Sequence, residues 1–249
     1  MRQILRKILK ICVPVAVYIV IWQLLSMLVG SSLLLPSPKD TAEAAVGILG
    51  SAGGWSAIGA TIARILIGYC LGIILGVLLA VLTSHFHVAE WLLRPLRSLI
   101  KTTPITSFAL ILLVSVVSGA VPVVVSTIVV MPMIWQTTEE AIKNRSEQLS
   151  EMSRIFLSPW KKLIYVSLPQ ILPRFFATAS TALGFAWKAV ITAEILALPR
   201  FGIGRQMQDN KIYLETPELF AWTLLVVLLS VLIETTFRYG LRKAGQRYD

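Results

Sequence analysis

The chain has 249 residues, 56% hydrophobic and 14% charged, with a formal net charge of +10 and a mean hydropathy of +0.76. A water-soluble domain carries about 45–50% apolar and about 25% charged residues, so this composition excludes one. It describes instead an integral membrane protein with room for five or six spans. The positive charge does not call for nucleic acid, because the basic residues flank the apolar blocks and no soluble module is left to carry such a site. Cys12 and Cys70 each sit inside an apolar block, and His85 and His87 supply only two ligands. Neither a disulfide framework nor a metal site is indicated.

The apolar blocks place six candidate spans at about 11–29, 59–83, 105–117, 121–135, 174–198 and 219–237. The first follows a basic tail without a small-residue cleavage site, which reads as a retained helix and not a cleaved signal peptide. The second carries Ala60, Gly68, Gly72, Gly76, Ala80 and Ser84 in one register with Arg64. Small residues at this spacing let helix backbones approach closely, either within the chain or at a dimer or pathway-facing surface. The third is short, so it is broken or tilted. It opens with Lys101, Thr102, Thr103, Pro104, Thr106 and Ser107. Of these, Thr103 and Ser107 are candidates for a water-filled path, with ordinary helix caps as the alternative. Ser118-Gly119-Ala120 and Pro122 then mark a tight turn or a kink.

A polar connection follows at about 139–173 and closes with Leu168-Pro169-Gln170-Ile171-Leu172-Pro173. Prolines so spaced end one helix and begin another at an angle. A connection this long in a compact membrane domain usually has a function. The fifth span holds Lys188 and Glu194. Ionisable groups at such depth are functional candidates by default. Six residues apart, they point about 240° away from each other and are not partners. Glu194 lies about 30 Å from the helix start, near the far boundary, and Lys188 about 9 Å below it. Either they belong to a substrate path or gate, or they are structural and interfacial groups. Lys188 is the residue best placed to attract an anion.

Lysines and arginines orient the spans. The N-terminal tail has Arg2, Arg6, Lys7 and Lys10; the second-to-third connection has Arg94, Arg97 and Lys101. The 139–173 connection and its end have Lys143, Arg145, Arg154, Lys161, Lys162 and Arg174, and the C-terminal tail has Arg238, Arg242, Lys243 and Arg247. The alternate connections hold only Lys39, Arg200, Arg205 and Lys211. This alternation predicts six spans with both termini cytoplasmic, in an inner (plasma) membrane.

The connection Glu151-Met152-Ser153-Arg154-Ile155-Phe156-Leu157-Ser158-Pro159-Trp160, continuing to Val166-Ser167-Leu168-Pro169, resembles the EAA loop of ABC-importer permeases. Further elements resemble the nitrate/sulfonate/taurine branch of that family. These are Leu35-Pro36-Ser37-Pro38, Trp160, Leu183-Gly184-Phe185-Ala186-Trp187 with Ala193-Glu194, and Gly202-Ile203-Gly204. The resemblance runs from about residue 10 to 245. The loop departs from the pattern in lacking its glycine, as though deleted between Phe156 and Leu157, and in having Met152 and Ser153 for alanines. The Trp-Phe-Gly element between the third and fourth helices is also missing from 114–123.

The resemblance implies an all-α fold, 1–249 as a single transmembrane permease domain, and substrate translocation by alternating access. It implies a second copy of the chain, separate ATPase subunits that use ATP and magnesium, and an extracytoplasmic solute-binding protein. This chain would bind no cofactor itself. Glu151, Arg154, Phe156, Leu157, Ser158, Trp160, Leu168 and Pro169 would form the ATPase-coupling element, an amphipathic helix laid into a groove. An interfacial helix resting on lipid fits the same pattern. Gly184 joins Gly68, Gly72 and Gly76 as a helix-packing position. The solute is expected to be small and anionic. No P-loop, HExxH or GxSxG sequence occurs, so the chain is not expected to be an enzyme. A secondary transporter, a channel or a membrane scaffold is the alternative; the first would need inverted repeats or more intramembrane ionisable groups.

Overall fold

The computed structural model describes residues 2–245, and for 2–12, 150, 154, 238 and 241–245 it describes the backbone alone. The described elements are helical: α1 (Arg2–Val29), α2 (Pro38–Gly50), α3 (Ala52–His85), α4 (His87–Thr102), α5 (Ile105–Ser115), α6 (Val121–Lys143), α7 (Glu147–Phe156), α8 (Pro159–Lys162), α9 (Leu168–Ala197), α10 (Ile203–Ile212) and α11 (Thr216–Gly245). A π turn, Leu163–Ser167, joins α8 to α9. Among the described residues, four helical stretches are long and apolar enough to cross a bilayer: Ala52–His85, Val121–Lys143, Pro159–Ala197 and Thr216–Phe237. A fifth crossing results if α4 and α5 count as one bent pair.

The core is the packing of α3, α6 and α9, where Ile65, Tyr69, Val130, Ile134, Ala182, Ala186 and Val190 meet. The small-residue stripe of α3 makes this possible. A Cβ on Gly68 would lie 2.6 Å from the Ser126 Cβ, one on Gly72 2.6 Å from the Val130 Cβ, and one on Gly76 2.8 Å from the Met131 carbonyl. The stripe therefore seats α6, inside the chain. Gly184 is different: a Cβ there would meet only the Glu234 carboxylate, at 3.9 Å. It is not a close-packing position. Tyr69 ties α3 to α9 through its hydroxyl, which donates to the Ala179 carbonyl at 2.8 Å.

Three expectations change. The stretch 105–117 does not form a span of its own: α5 has 11 residues, about 16 Å of helix against an apolar layer of about 30 Å. It follows α4 across a bend of 103°. The cause is local, because Pro104 has no N–H to continue α4 and disfavours helical geometry at Thr103, which is extended (φ −75°, ψ 130°). Second, Pro169 stands in the first turn of α9 and Pro173 lies inside it, without the angled break expected of them. Pro159–Ala197 runs on through both. The turn before them widens, with the Leu168 N–H donating to the Leu163 carbonyl five residues back. Third, α2, α4 and α10 are helices outside the six expected spans. Ser118-Gly119-Ala120 is a turn, and Pro122 stands in the first turn of α6, where its missing N–H costs nothing.

The Leu35-Pro36-Ser37-Pro38 element joins α1 to α2. Ser37 caps α2 in a reciprocal capping box with Asp40. The Trp22 indole N–H donates to the Pro36 carbonyl at 3.0 Å, and the Ser26 hydroxyl to the Leu35 carbonyl at 3.0 Å. Thr216 fastens the start of α11 to the same segment by donating to the Leu33 carbonyl at 2.8 Å.

Candidate functional site

The polar chemistry gathers at the two ends of the bundle. At the end that carries α2 and α10, Glu194 has no solvent exposure. Its carboxylate accepts from Arg64 Nη1 at 2.6 Å, from the Thr61 hydroxyl at 2.9 Å and from the Gly204 N–H at 3.0 Å. Arg64 also donates to the Phe201 carbonyl at 2.7 Å, and the Ile203 N–H donates to Thr61 at 2.9 Å. The carboxylate thus caps the N-terminus of α10 from a neighbouring helix, with a guanidinium as counter-ion. Gly202 and Gly204 admit it, since a Cβ on Gly202 would lie 2.7 Å from the Glu194 carboxyl carbon and one on Gly204 2.6 Å from the Glu194 Cβ. Glu194 is a knot joining α3, α9 and α10, fully buried among the described residues. Lys188 lies elsewhere, exposed, its ammonium 5.8 Å from the Phe185 ring centre.

At the opposite end a second charged group pins α4 beneath α6. Arg97 pairs with the buried Glu139 and stacks 5.0 Å from the Trp135 ring centre. Lys143 bridges Glu90 at 2.6 Å and Glu139 at 2.8 Å. Trp135 is held in turn by its indole N–H, which donates to the Thr83 hydroxyl at 2.9 Å. Arg97 and Glu139 lie 42 residues apart, and the sequence reading used Arg97 and Lys143 only to orient the spans and gave the two glutamates no role. The signal available was the placing of Glu90, Arg97 and Glu139 beside apolar blocks.

The same end carries α7 and α8. Ser146 caps α7, and its own N–H donates to the Gln170 side chain at 2.9 Å. Arg145 donates to the Ile142 carbonyl at 2.8 Å and to the buried Ser167 hydroxyl at 3.0 Å. Ser153 is buried on the inner side of α7. The outer side is apolar and bare, with Ile155 79%, Phe156 78% and Trp160 76% exposed, and Met152 and Tyr165 beside them. Glu151 and Ser158 are also exposed, whereas Leu157, Leu168 and Pro169 are half-buried. The side chain of Arg154 lies outside the described residues. The turn between α7 and α8 uses Leu157 (φ −122°, ψ 140°) and Ser158 (φ −65°, ψ 157°), both extended. Neither needs positive φ, so the turn closes without the glycine of the family pattern.

Between these ends a cleft of about 370 Å³ opens among the α4–α5 bend, α6 and α9, lined by Lys101, Met133, Gln136, Thr137, Ala177, Thr178 and Thr181. Thr103 and Ser107 stand close by in sequence, half-buried, without lining it. Among the described residues no group of three or more His, Cys, Asp or Glu side chains is placed to hold a metal ion.

Comparison with known proteins identifies the architecture. The chain is 29% identical over 156 residues to the glycine betaine/proline betaine transport system permease protein ProW of Escherichia coli (strain K12), covering 62% of this chain but 44% of that protein. It is 28% identical over 227 residues to SsuC of the same organism, by its name an aliphatic sulfonates transport permease, covering 90% of this chain and 85% of that protein. It is 26% identical over 147 residues to the bicarbonate transport system permease protein CmpB of Synechocystis sp. (strain ATCC 27184 / PCC 6803 / Kazusa), covering 58% of this chain and 52% of that protein. In fold it matches the inward-facing MetNI methionine ABC transporter, with a TM-score of 0.57 at 19% identity over 79% of this chain and 94% of that one. It also matches an amino acid ABC transporter crystallised with histidines, with a TM-score of 0.60 at 15% identity over 77% of this chain and 92% of that one. The family model described as "Binding-protein-dependent transport system inner membrane component" matches residues 72–244. The chain therefore belongs to the binding-protein-dependent transport system inner membrane components: it is an ABC-importer permease, a transport subunit of the membrane and not an enzyme.

Proposed function

We propose that two copies of this chain, each one transmembrane permease domain, form the passage of an ATP-driven importer for a small anionic solute, working by alternating access. The observation that carries this reading is the bare apolar face of α7 and α8 on a polar-bonded base. Ile155, Phe156 and Trp160 are more than three-quarters exposed, while Ser153 and Ser167 beneath them are buried. An apolar face so braced fits a groove in a separate ATPase subunit, and closure of two such subunits would be passed to α9 through the π turn. That ATPase, with its ATP and magnesium, and an extracytoplasmic solute-binding protein at the α2/α10 end, complete the assembly. This chain holds no cofactor of its own.

Six crossings follow if α1, α3, the α4–α5 pair, α6, α8–α9 and α11 each traverse the bilayer. The lysine and arginine distribution then puts both termini and α7 in the cytoplasm. The homodimer is favoured by the open cleft between α6 and α9, which leaves a passage to be completed by a second copy. Relatives named for sulfonates and bicarbonate favour an anion. The test is a pull-down of the tagged chain in mild detergent, against a variant carrying Phe156→Ala and Trp160→Ala. The wild type is expected to bring down an ATP-hydrolysing partner that the folded variant loses. A wild type that comes down alone, and moves solute in vesicles without ATP, overturns the reading in favour of a secondary transporter.

A further inference from the structure

The cleft between α6 and α9 contains a cation that packing does not explain. Lys101 Nζ donates to the Gln136 side-chain carbonyl at 2.5 Å, and it forms no ion pair among the described residues. Its neighbours differ: Arg97 and Lys143, at the same end, are matched by Glu139 and Glu90. The carboxylate nearest in this network is Glu140, one helical turn beyond Gln136. It accepts from Gln136 Nε2 at 2.8 Å and does not line the cleft. The rest of the polar lining is neutral. Thr178 donates to Thr137 at 3.1 Å, leaving the Thr137 hydroxyl proton for a further acceptor, and Thr181 is exposed and donates its own proton to the Ala177 carbonyl one turn back.

We infer that this cleft is a transit site for a small oxyanion (carboxylate, bicarbonate or sulfonate) held by Lys101 with the hydroxyl of Thr137. The inference rests on the importer reading and deepens it by naming where the solute pauses. The volume of about 370 Å³ falls at the small end of ligand pockets, roughly 300–1,000 Å³, which suits a solute of a few heavy atoms. One ammonium with one hydroxyl donor, and no bidentate arginine clamp, suits a site that must release what it binds. Irregular backbone at the α4–α5 bend is tolerated at membrane depth where it borders water. Lys188, which the sequence favoured for this role, is not in the cleft.

The test uses the full chain with Cys12→Ser and Cys70→Ser, carrying Thr181→Cys, in nanodiscs of zwitterionic lipid. The cysteine is labelled with sulfonatoethyl or trimethylammonioethyl methanethiosulfonate. The sulfonate reagent is expected to react about tenfold faster, the scale of one partly screened charge pair, and Lys101→Gln should abolish the preference. Ethanesulfonate should slow the sulfonate reagent in the Lys101 protein alone. Equal rates that ignore Lys101→Gln, or no labelling until the protein is denatured, overturn the proposal. A preference that disappears when phosphatidylglycerol is added assigns the cleft to a lipid headgroup and overturns the solute site. Thr178→Cys serves as a second reporter if Thr181→Cys does not fold. Capture of the ATPase by α7 and α8 does not depend on Lys101, so failure of either proposal is read separately from the other.

Discussion

The two ends of this molecule solve opposite problems. At the α2/α10 end, charge is taken inside and every oxygen of Glu194 is matched by Arg64, Thr61 or Gly204. At the α7 end, apolar rings stand outside while the polar groups beneath them are bonded. A buried ion pair is weak evidence for stability in itself, yet it fixes one arrangement of three helices, because any other leaves a charge unmatched in apolar surroundings. An exposed apolar face adds little to the stability of the isolated chain. The first end is therefore built as a fixed joint, and the second is the docking surface that the proposed importer reading requires.

Breaking the joint should give the largest effect. Glu194→Ala strands Arg64 and uncaps α10, and should destabilise the chain by about 3–5 kcal/mol, read as a lowered thermal midpoint in detergent. Glu194→Gln keeps the shape and should lose less. If Glu194→Ala melts like the wild type, the knot is not a structural joint. Phe156→Ala with Trp160→Ala should leave the thermal midpoint of the isolated chain nearly unchanged, within about 0.5 kcal/mol. The same pair should weaken ATPase binding by 2 kcal/mol or more, about thirtyfold, measured by titration of the purified partner. A loss of stability without loss of binding would reverse the roles assigned to the two ends.

The remaining tests sharpen the comparison. Gly72→Ala places a methyl group 2.6 Å from the Val130 Cβ and should destabilise by about 1–3 kcal/mol through forced separation of α3 and α6. Gly184→Ala, with its 3.9 Å clearance, should be close to neutral, and unfolding curves of the two side by side decide it. Smallest of all, Lys39→Ala removes an exposed pair with Glu43 on α2 and should change stability by less than about 0.5 kcal/mol. A larger change would mean that α2 depends on surface charge and not on its capping box.

Much of the fold was legible in the residues because membrane helices announce themselves. The stripe Gly68, Gly72, Gly76 predicted close packing, and α6 occupies it. The α7 surface was legible for a different reason: Ile155, Phe156 and Trp160 interrupt a polar connection, and apolar residues there need a cover. The bent α4–α5 pair was half legible. Pro104 marked the break, but 105–117 looked apolar enough for a span, and hydropathy does not count length against direction. The long α8–α9 helix was misjudged because prolines predict breaks only where no wider turn relieves them. Glu194 was flagged as a charge in a span, but its partner Arg64 lies 130 residues away, and no local spacing reveals such a pair.

The sequence by itself determined the class of this protein, its apolar blocks and the polar connection at about 139–173 that interrupts them. Each of these rests on local composition, which acts through the free energy of moving a segment between water and lipid. The tertiary structure alone decided which charges are joints and which cation faces an open cleft. Arg64 within a span and Lys101 at the head of a polar run both carry a positive charge, and what separates them among the described residues is whether the fold brings a carboxylate within hydrogen-bonding distance.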